Sequence, residues 1–277
     1  MAGASSPAGS GGGEGPRGPR PNPPRREVKA AVAAPLGPKR QVDPATGRER
    51  YLPGPARYTA DIVESATFFT THVRQLAEDA GLYHPRVRTI ALLSDGGEWI
   101  QRGWPLLELP DRVNVVEILD IRHLEEHLWK GAEAVFGEGN PQAKSWARKQ
   151  ADAVRARGPL PVLHAISRLR PTTADAKEEV RQLKGSLERN AHRLSYPDYV
   201  AQGLPIGSGL VEAACKTVVN QRTKNSGMRW SVAGVRAVLT IRALLLSIPK
   251  VSTDFWASRP HMDRPPTQCL PGYDNTG

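Results

Sequence analysis

The chain has 277 residues, 38 Lys and Arg against 28 Asp and Glu, and a formal net charge of +10. That length holds one large domain or two small ones around a sizeable core, and the basic balance points to an anionic partner, most simply nucleic acid. Cys215 and Cys269 are too few for a disulfide framework or a cysteine-based zinc site, no run approaches the ~20 apolar residues of a membrane span, and no apolar leader opens the chain, so a cytoplasmic location and no membrane partner are expected.

Residues 1–26, rich in Gly, Pro, Ser and Arg, cannot bury enough surface to offset ordering entropy and read as disordered. "EVKAAVAA" (27–34) and "RERYLP" (48–53) read as two strands of a hairpin, with "DPATG" supplying the turn. From Thr59 to Leu82, Ile62, Val63, Ala66, Phe69, Val73, Leu76 and Ala80 recur at helical spacing, and Gly81 ends the pattern.

"VRTIALLSDGG" is a short apolar run that stops at Ser94 and Asp95, a strand ending in a carboxylate and two glycines. Such an Asp serves either a turn or a site. "VNVVEILD" repeats the pattern up to Asp120, and a helix follows. Residues 141–194 read as helices broken at "RGPLP" and "LRPTT", the last running from Ala174 to about Leu194. After a loop at 196–205, "GSGLVEAACKTVVNQRTK" (207–224) reads as a helix with its N-cap near Ser208. The strongly apolar "SVAGVRAVLTIRALLLS" (231–247) reads as a core helix. Strands first and helices after suggest an α/β layer with a helical insertion.

Three constellations carry chemistry. His123, Glu126 and His127 spell H-x-x-E-H, the order of inverzincin zinc peptidases, with two His on one helix face. A third ligand, a carboxylate well downstream, could be Glu179, Glu188 or Glu212, and packing or polar support of a site is the competing role for these His. Second, Asp95 at a strand end and Glu212 one turn into a late helix can converge on hard divalent cations through oxygen ligands. Third, Lys216, Arg222, Lys224, Arg229, Arg236 and Arg242 precede the next acid, Asp254. A one-signed stretch suits a phosphate backbone.

"LLSDGGEWI", "ILDIRHLEEHLW", the span from Glu188 to Ala243 that includes "LPIGSGLVEAACK" and "SGMRW", and "FW" at 255–256 resemble the C-terminal two-thirds of ISKra-type insertion-sequence transposases. "REVKAA" (26–31) is similar to that family's early strand. The resemblance covers about residues 25–256 and is most specific over 204–230. It implies an RNase H-like α/β domain over 27–256 with a helical insertion at about 137–200 and a disordered tail at 257–277. It also implies a DDE triad holding two Mg²⁺ or Mn²⁺ ions, double-stranded DNA at transposon ends as substrate, and a homo-oligomer when active.

On that resemblance Asp95 and Glu212 match the second and third acids, as catalytic and metal-binding residues. Lys216, Arg222, Lys224 and Arg229 are expected to contact DNA, with Asp120, His123 and His127 in support. The family's D-x-x-H-x-x-x-H-L string accounts for the peptidase spelling. The family's first acid lies in a D-G motif upstream of "REVK". Residues 1–25 contain no Asp, and their one acid, Glu14, sits among Gly and Pro. Asp43 and Asp61 follow "REVK", and Asp120 is an outside replacement. The expectation is therefore a truncated, inactive transposase copy with its opening strand missing, the alternative being a non-catalytic DNA-binding remnant.

Overall fold

The computed structural model describes residues 27–42, 49–62, 65–224, 230–247 and 257. They form a mixed α/β structure in which helices predominate and the sheets are small. Strands β1 (Lys29–Ala33), β2 (Leu36–Val42), β3 (Glu49–Pro53) and β4 (Arg57–Asp61) come first. β1 pairs antiparallel with β4 and β2 with β3.

This corrects the hairpin expected from the sequence. The partner of β1 is "RYTAD" rather than "RERYLP", because the arms continue outward past a break where the Gly54 N–H donates to the Pro35 carbonyl at 2.7 Å. β2 escaped notice because Gly37 and Pro38 depress its strand propensity. The "DPATG" turn lies outside the described residues.

Helix α1 (Ala66–Asp79) begins seven residues later than its periodicity suggests. The β-prone Tyr58 and Thr59 go to β4, and Ser65 caps the helix, its Oγ accepting from the Phe68 N–H at 3.1 Å. The helix ends where expected, at Gly81 with φ +77°.

β5 (Thr89–Ser94) and β6 (Asn114–Leu119) pair in parallel, from Thr89 opposite Asn114 to Ser94 opposite Leu119. The crossover between them contains α2 (Glu98–Gly103) and a 3₁₀ turn, Trp104–Leu107. α3 (Ile121–Phe136), α4 (Pro141–Arg157), α5 (Leu160–Ser167) and α6 (Ala174–Arg189) follow, broken where "RGPLP" and "LRPTT" predicted. They pack on β6 around Leu124, Leu128, Val154, Ile166, Leu183 and Leu187. Where α3 meets α6, a Cβ on Gly131 would lie 2.6 Å from Leu183 Cδ2, so the crossing depends on that glycine.

The segment read as a loop contains α7 (Tyr196–Ala201), with Pro197 in its first turn, where no N–H is needed. Buried Tyr196 and Tyr199 anchor it by donating to the Leu119 and Glu117 carbonyls at 2.9 and 3.2 Å.

α8 (Gly209–Ala214) runs into a π-helical stretch, Cys215–Asn220, and a last turn, α9 (Gln221–Thr223). α10 (Val232–Leu246) completes a second core with β1 and β4 through Val235, Leu239 and Ala243. Only that stripe is buried. Ile241, Leu245 and Leu246 are exposed, so α10 is not the wholly internal helix its composition suggested. Among the described residues no helix is long and apolar enough to cross a membrane.

Candidate functional site

Parallel pairing brings the ends of β5 and β6 side by side, and each strand is followed at once by an acid, Asp95 and Asp120. Asp95 is exposed at the head of a tight turn, its Oδ1 accepting from the Gly97 N–H at 3.0 Å. Gly96 adopts φ +83°, and a Cβ there would stand 2.7 Å from Leu119 Cδ1. Both the backbone angle and the close approach to β6 require glycine, which accounts for the first glycine of "SDGG".

Beneath this turn lies Arg193, whose side chain is fully buried. Its guanidinium donates to Ser94 Oγ at 2.6 Å and to Asn190 Oδ1 at 3.0 Å, and its Nε stands 3.6 Å from Glu117. Ser94 Oγ in turn accepts from the Gly96 N–H at 3.3 Å. Burial pulls the Arg193 pKa down, while Glu117 opposes the shift. Arg193 thus ties the end of the helical segment to the turn that presents Asp95. Nothing in the sequence pattern marks this role, since Arg193 sits among ordinary charged residues.

Asp120 is buried and faces two elements. Its Oδ1 caps α3 by accepting from the Arg122 N–H at 2.9 Å and reaches the Ser208 N–H at 3.3 Å, and its Oδ2 accepts from the Ser208 hydroxyl. The Ile121 N–H donates to the Ile206 carbonyl at 3.0 Å. The "IGSG" motif is therefore held by a carboxylate, and Ser208 spends its hydroxyl on Asp120 instead of capping its own helix. The tie brings the helix that carries Glu212 to the strand ends.

A pocket of about 220 Å³ opens beside Asp95, lined also by Gly96, Leu119, His123, His127 and Asn190. His123 and His127 share one face of α3, and their Nε2 atoms meet at 2.9 Å, one ring donating to the other. Burial first, and then His123 and Lys130, push the His127 pKa down. Glu126 is exposed and does not line the pocket, so the three residues of the H-x-x-E-H string do not share it.

Glu212 is exposed on α8 and likewise does not line this pocket. Among the described residues no three His, Cys, Asp or Glu side chains converge to hold a metal ion. Asp61, at the end of β4, accepts from Arg236 at 2.8 and 3.0 Å, and Asp120 holds Ser208. Asp95 and Glu212 do not by themselves fit a two-metal centre. Asp43 and Glu14 lie outside the described residues.

The basic run after Glu212 divides. Arg236 is bound to Asp61, and Arg242 donates to the Thr217 and Val218 carbonyls at 3.0 and 3.1 Å, satisfying oxygens of the π-helical stretch. Lys216, Arg222 and Lys224 are exposed and make no ion pair among the described residues, and Arg229 lies outside them. No protein-family model, no curated protein and no solved structure matches the sequence.

Proposed function

We propose that this chain derives from the catalytic part of an ISKra-type insertion-sequence transposase, an RNase H-like domain with a helical insertion, with double-stranded DNA as its partner. The chemistry of that class is divalent-metal-dependent hydrolysis and transfer of phosphodiesters. The observation that carries the reading is the Asp120–Ser208 tie. It joins a parallel strand pair, with Asp95 at the end of one strand, to the late helix bearing Glu212, the arrangement that the resemblance in "LLSDGGEWI" and "LPIGSGLVEAACK" leads one to expect. The exposed Lys216, Arg222 and Lys224, which continue from that helix, supply charge for a phosphate backbone.

A second reading is non-catalytic binding of duplex DNA. It is favoured by the engagement of Asp61 with Arg236 and of Asp120 with Ser208, which leaves neither carboxylate free to complete a triad. One experiment separates the two. The purified chain is incubated with supercoiled plasmid in Mg²⁺ or Mn²⁺ and, in parallel, titrated with labelled duplex. Nicking that disappears in both Asp95→Ala and Glu212→Ala supports the transposase reading. Salt-sensitive duplex binding without nicking supports the second. Absence of both defeats the two together.

A further inference from the structure

We infer that the outer face of α4 is a second contact surface for the phosphate backbone of duplex DNA, distinct from the Lys216–Lys224 segment; the inference rests on the DNA-binding reading above. Lys144, Arg148, Lys149 and Arg157 project from this face around an open groove of about 650 Å³. All four are exposed, and none makes an ion pair among the described residues. The one acid in the groove, Asp152, already faces Arg155 at 3.5 Å, and Arg155 also binds Glu125. Lys144, Arg148 and Lys149 therefore stand on the exposed side of the helix without ion-pair partners, with Arg157 at its flank, and all four line the one groove.

Cations that only solvate a helix need no common face, and surface charges in this protein commonly take partners. On α6, Arg181 pairs with Glu178 and Lys184 with Glu188. On α4 the like charges Lys144 and Arg148 stand at i and i+4, a repulsive arrangement in the absence of a counter-charge. From Lys144 to Arg157 the helix rises about 20 Å, the axial span of about six phosphates along one strand of a duplex.

The chemistry of the face selects among polyanions. Its non-ionic lining is Pro141, Ser145, Ala153 and Ala156. No large apolar or aromatic side chain is there to anchor a protein partner. A membrane-surface helix turns its apolar side outward to the lipid, whereas the apolar stripe of α4, Ala143, Ala147, Ala151 and Val154, is buried inside the protein. A charged, extended face without large apolar or aromatic side chains suits a phosphate backbone read by charge alone.

The test uses the full chain and a combined Lys144→Gln, Arg148→Gln, Lys149→Gln, Arg157→Gln variant, with Lys216→Gln, Arg222→Gln, Lys224→Gln as comparison. Glutamine preserves helix propensity and most of the side-chain stem, so both variants should keep wild-type circular dichroism and melting temperature. Binding of a 30-base-pair duplex, a length set by the experimenter, is followed by fluorescence anisotropy across salt concentrations. The α4 variant is expected to bind about tenfold or more weakly and to flatten the plot of log K against log salt by about 3 to 4.

An unchanged slope and affinity for the α4 variant, with weakened binding in the comparison variant, would overturn the α4 surface and leave the DNA reading standing. Failure of the wild-type chain to bind duplex at low salt would overturn both. Unchanged duplex binding with lost binding to vesicles containing anionic lipid would reassign the face to a lipid headgroup and likewise overturn the proposal.

Discussion

Asp120 and Ser208 lie 88 residues apart in sequence and are joined by two hydrogen bonds, one from the Ser208 backbone N–H and one from its hydroxyl. One carboxylate thus caps α3 and fixes the turn into α8. Asp120→Ala removes a helix cap and leaves Ser208 without its acceptor, so a loss of about 2–3 kcal/mol is expected in denaturant unfolding. Ser208→Ala should cost about 1 kcal/mol. The double variant should fall short of the sum, and additive losses would show that the two residues act independently.

Arg193 offers a second prediction. Its side chain fills buried space and satisfies Ser94 and Asn190 at once. Arg193→Ala should cost about 3 kcal/mol or more, through the cavity and the stranded polar partners. Arg193→Lys should recover only part, because one ammonium cannot reproduce the planar fork. Hydrogen exchange of the Gly96 and Gly97 amides should quicken in both, and unchanged protection there would remove Arg193 from any role in holding the Asp95 turn.

Where α3 crosses α6, Gly131→Ala places a methyl group against Leu183. Overpacking of this kind costs about 1–3 kcal/mol. A companion Leu183→Ala makes room, so the Gly131→Ala penalty measured in that background should shrink. An equal penalty in both backgrounds would show that the contact is not the cause.

The His pair predicts a direction with pH. The folded pKa of His127 lies below its unfolded value near 6.5, chiefly because burial disfavours the charged ring, with His123 and Lys130 adding to the effect and Glu179 and Glu126 opposing it. The unfolded state therefore binds the proton more readily. The contribution of His127 to stability is complete above about pH 6.5 and is lost as pH falls through the folded pKa. His127→Gln should flatten the melting temperature against pH between about 7 and 5, and an undiminished acid slope in that variant would assign the titration elsewhere.

The strand pair and the helix after it were legible because they follow simple periodicities. "TIALLS" and "NVVEIL" are short apolar runs closed by Asp95 and Asp120, and the breaks at 157–160 and 168–173 are written in Gly and Pro. What the sequence hid was long-range. β2 is disguised by Gly37 and Pro38, and whether β1 pairs with β3 or β4 is decided by register beyond the turn. Of the candidate site, Asp95 was visible as a strand-end acid. Asp120 was visible as an acid but not as the holder of "GSG", because its partner is remote. The basic run likewise looked uniform, although Arg236 and Arg242 serve internal acceptors while Lys216, Arg222 and Lys224 face solvent.

The π-helical stretch between Glu212 and Arg222 sets the azimuth of Arg222 and Lys224 relative to Glu212. In that stretch the Gln221 N–H reaches back five residues, to the Lys216 carbonyl. Each residue of a regular helix turns the chain by about 100°, and a wide turn acts as an inserted residue. Removing one residue from 215–220 would let the segment relax to a regular α-helix of the same direction. Arg222 and Lys224 would then keep their azimuth relative to Glu212, whereas the full residue count drawn into α geometry would swing them by about 100°. The wide turn, by absorbing one residue among those six positions, therefore governs whether the acid and the cations that follow it look toward the same side of the molecule.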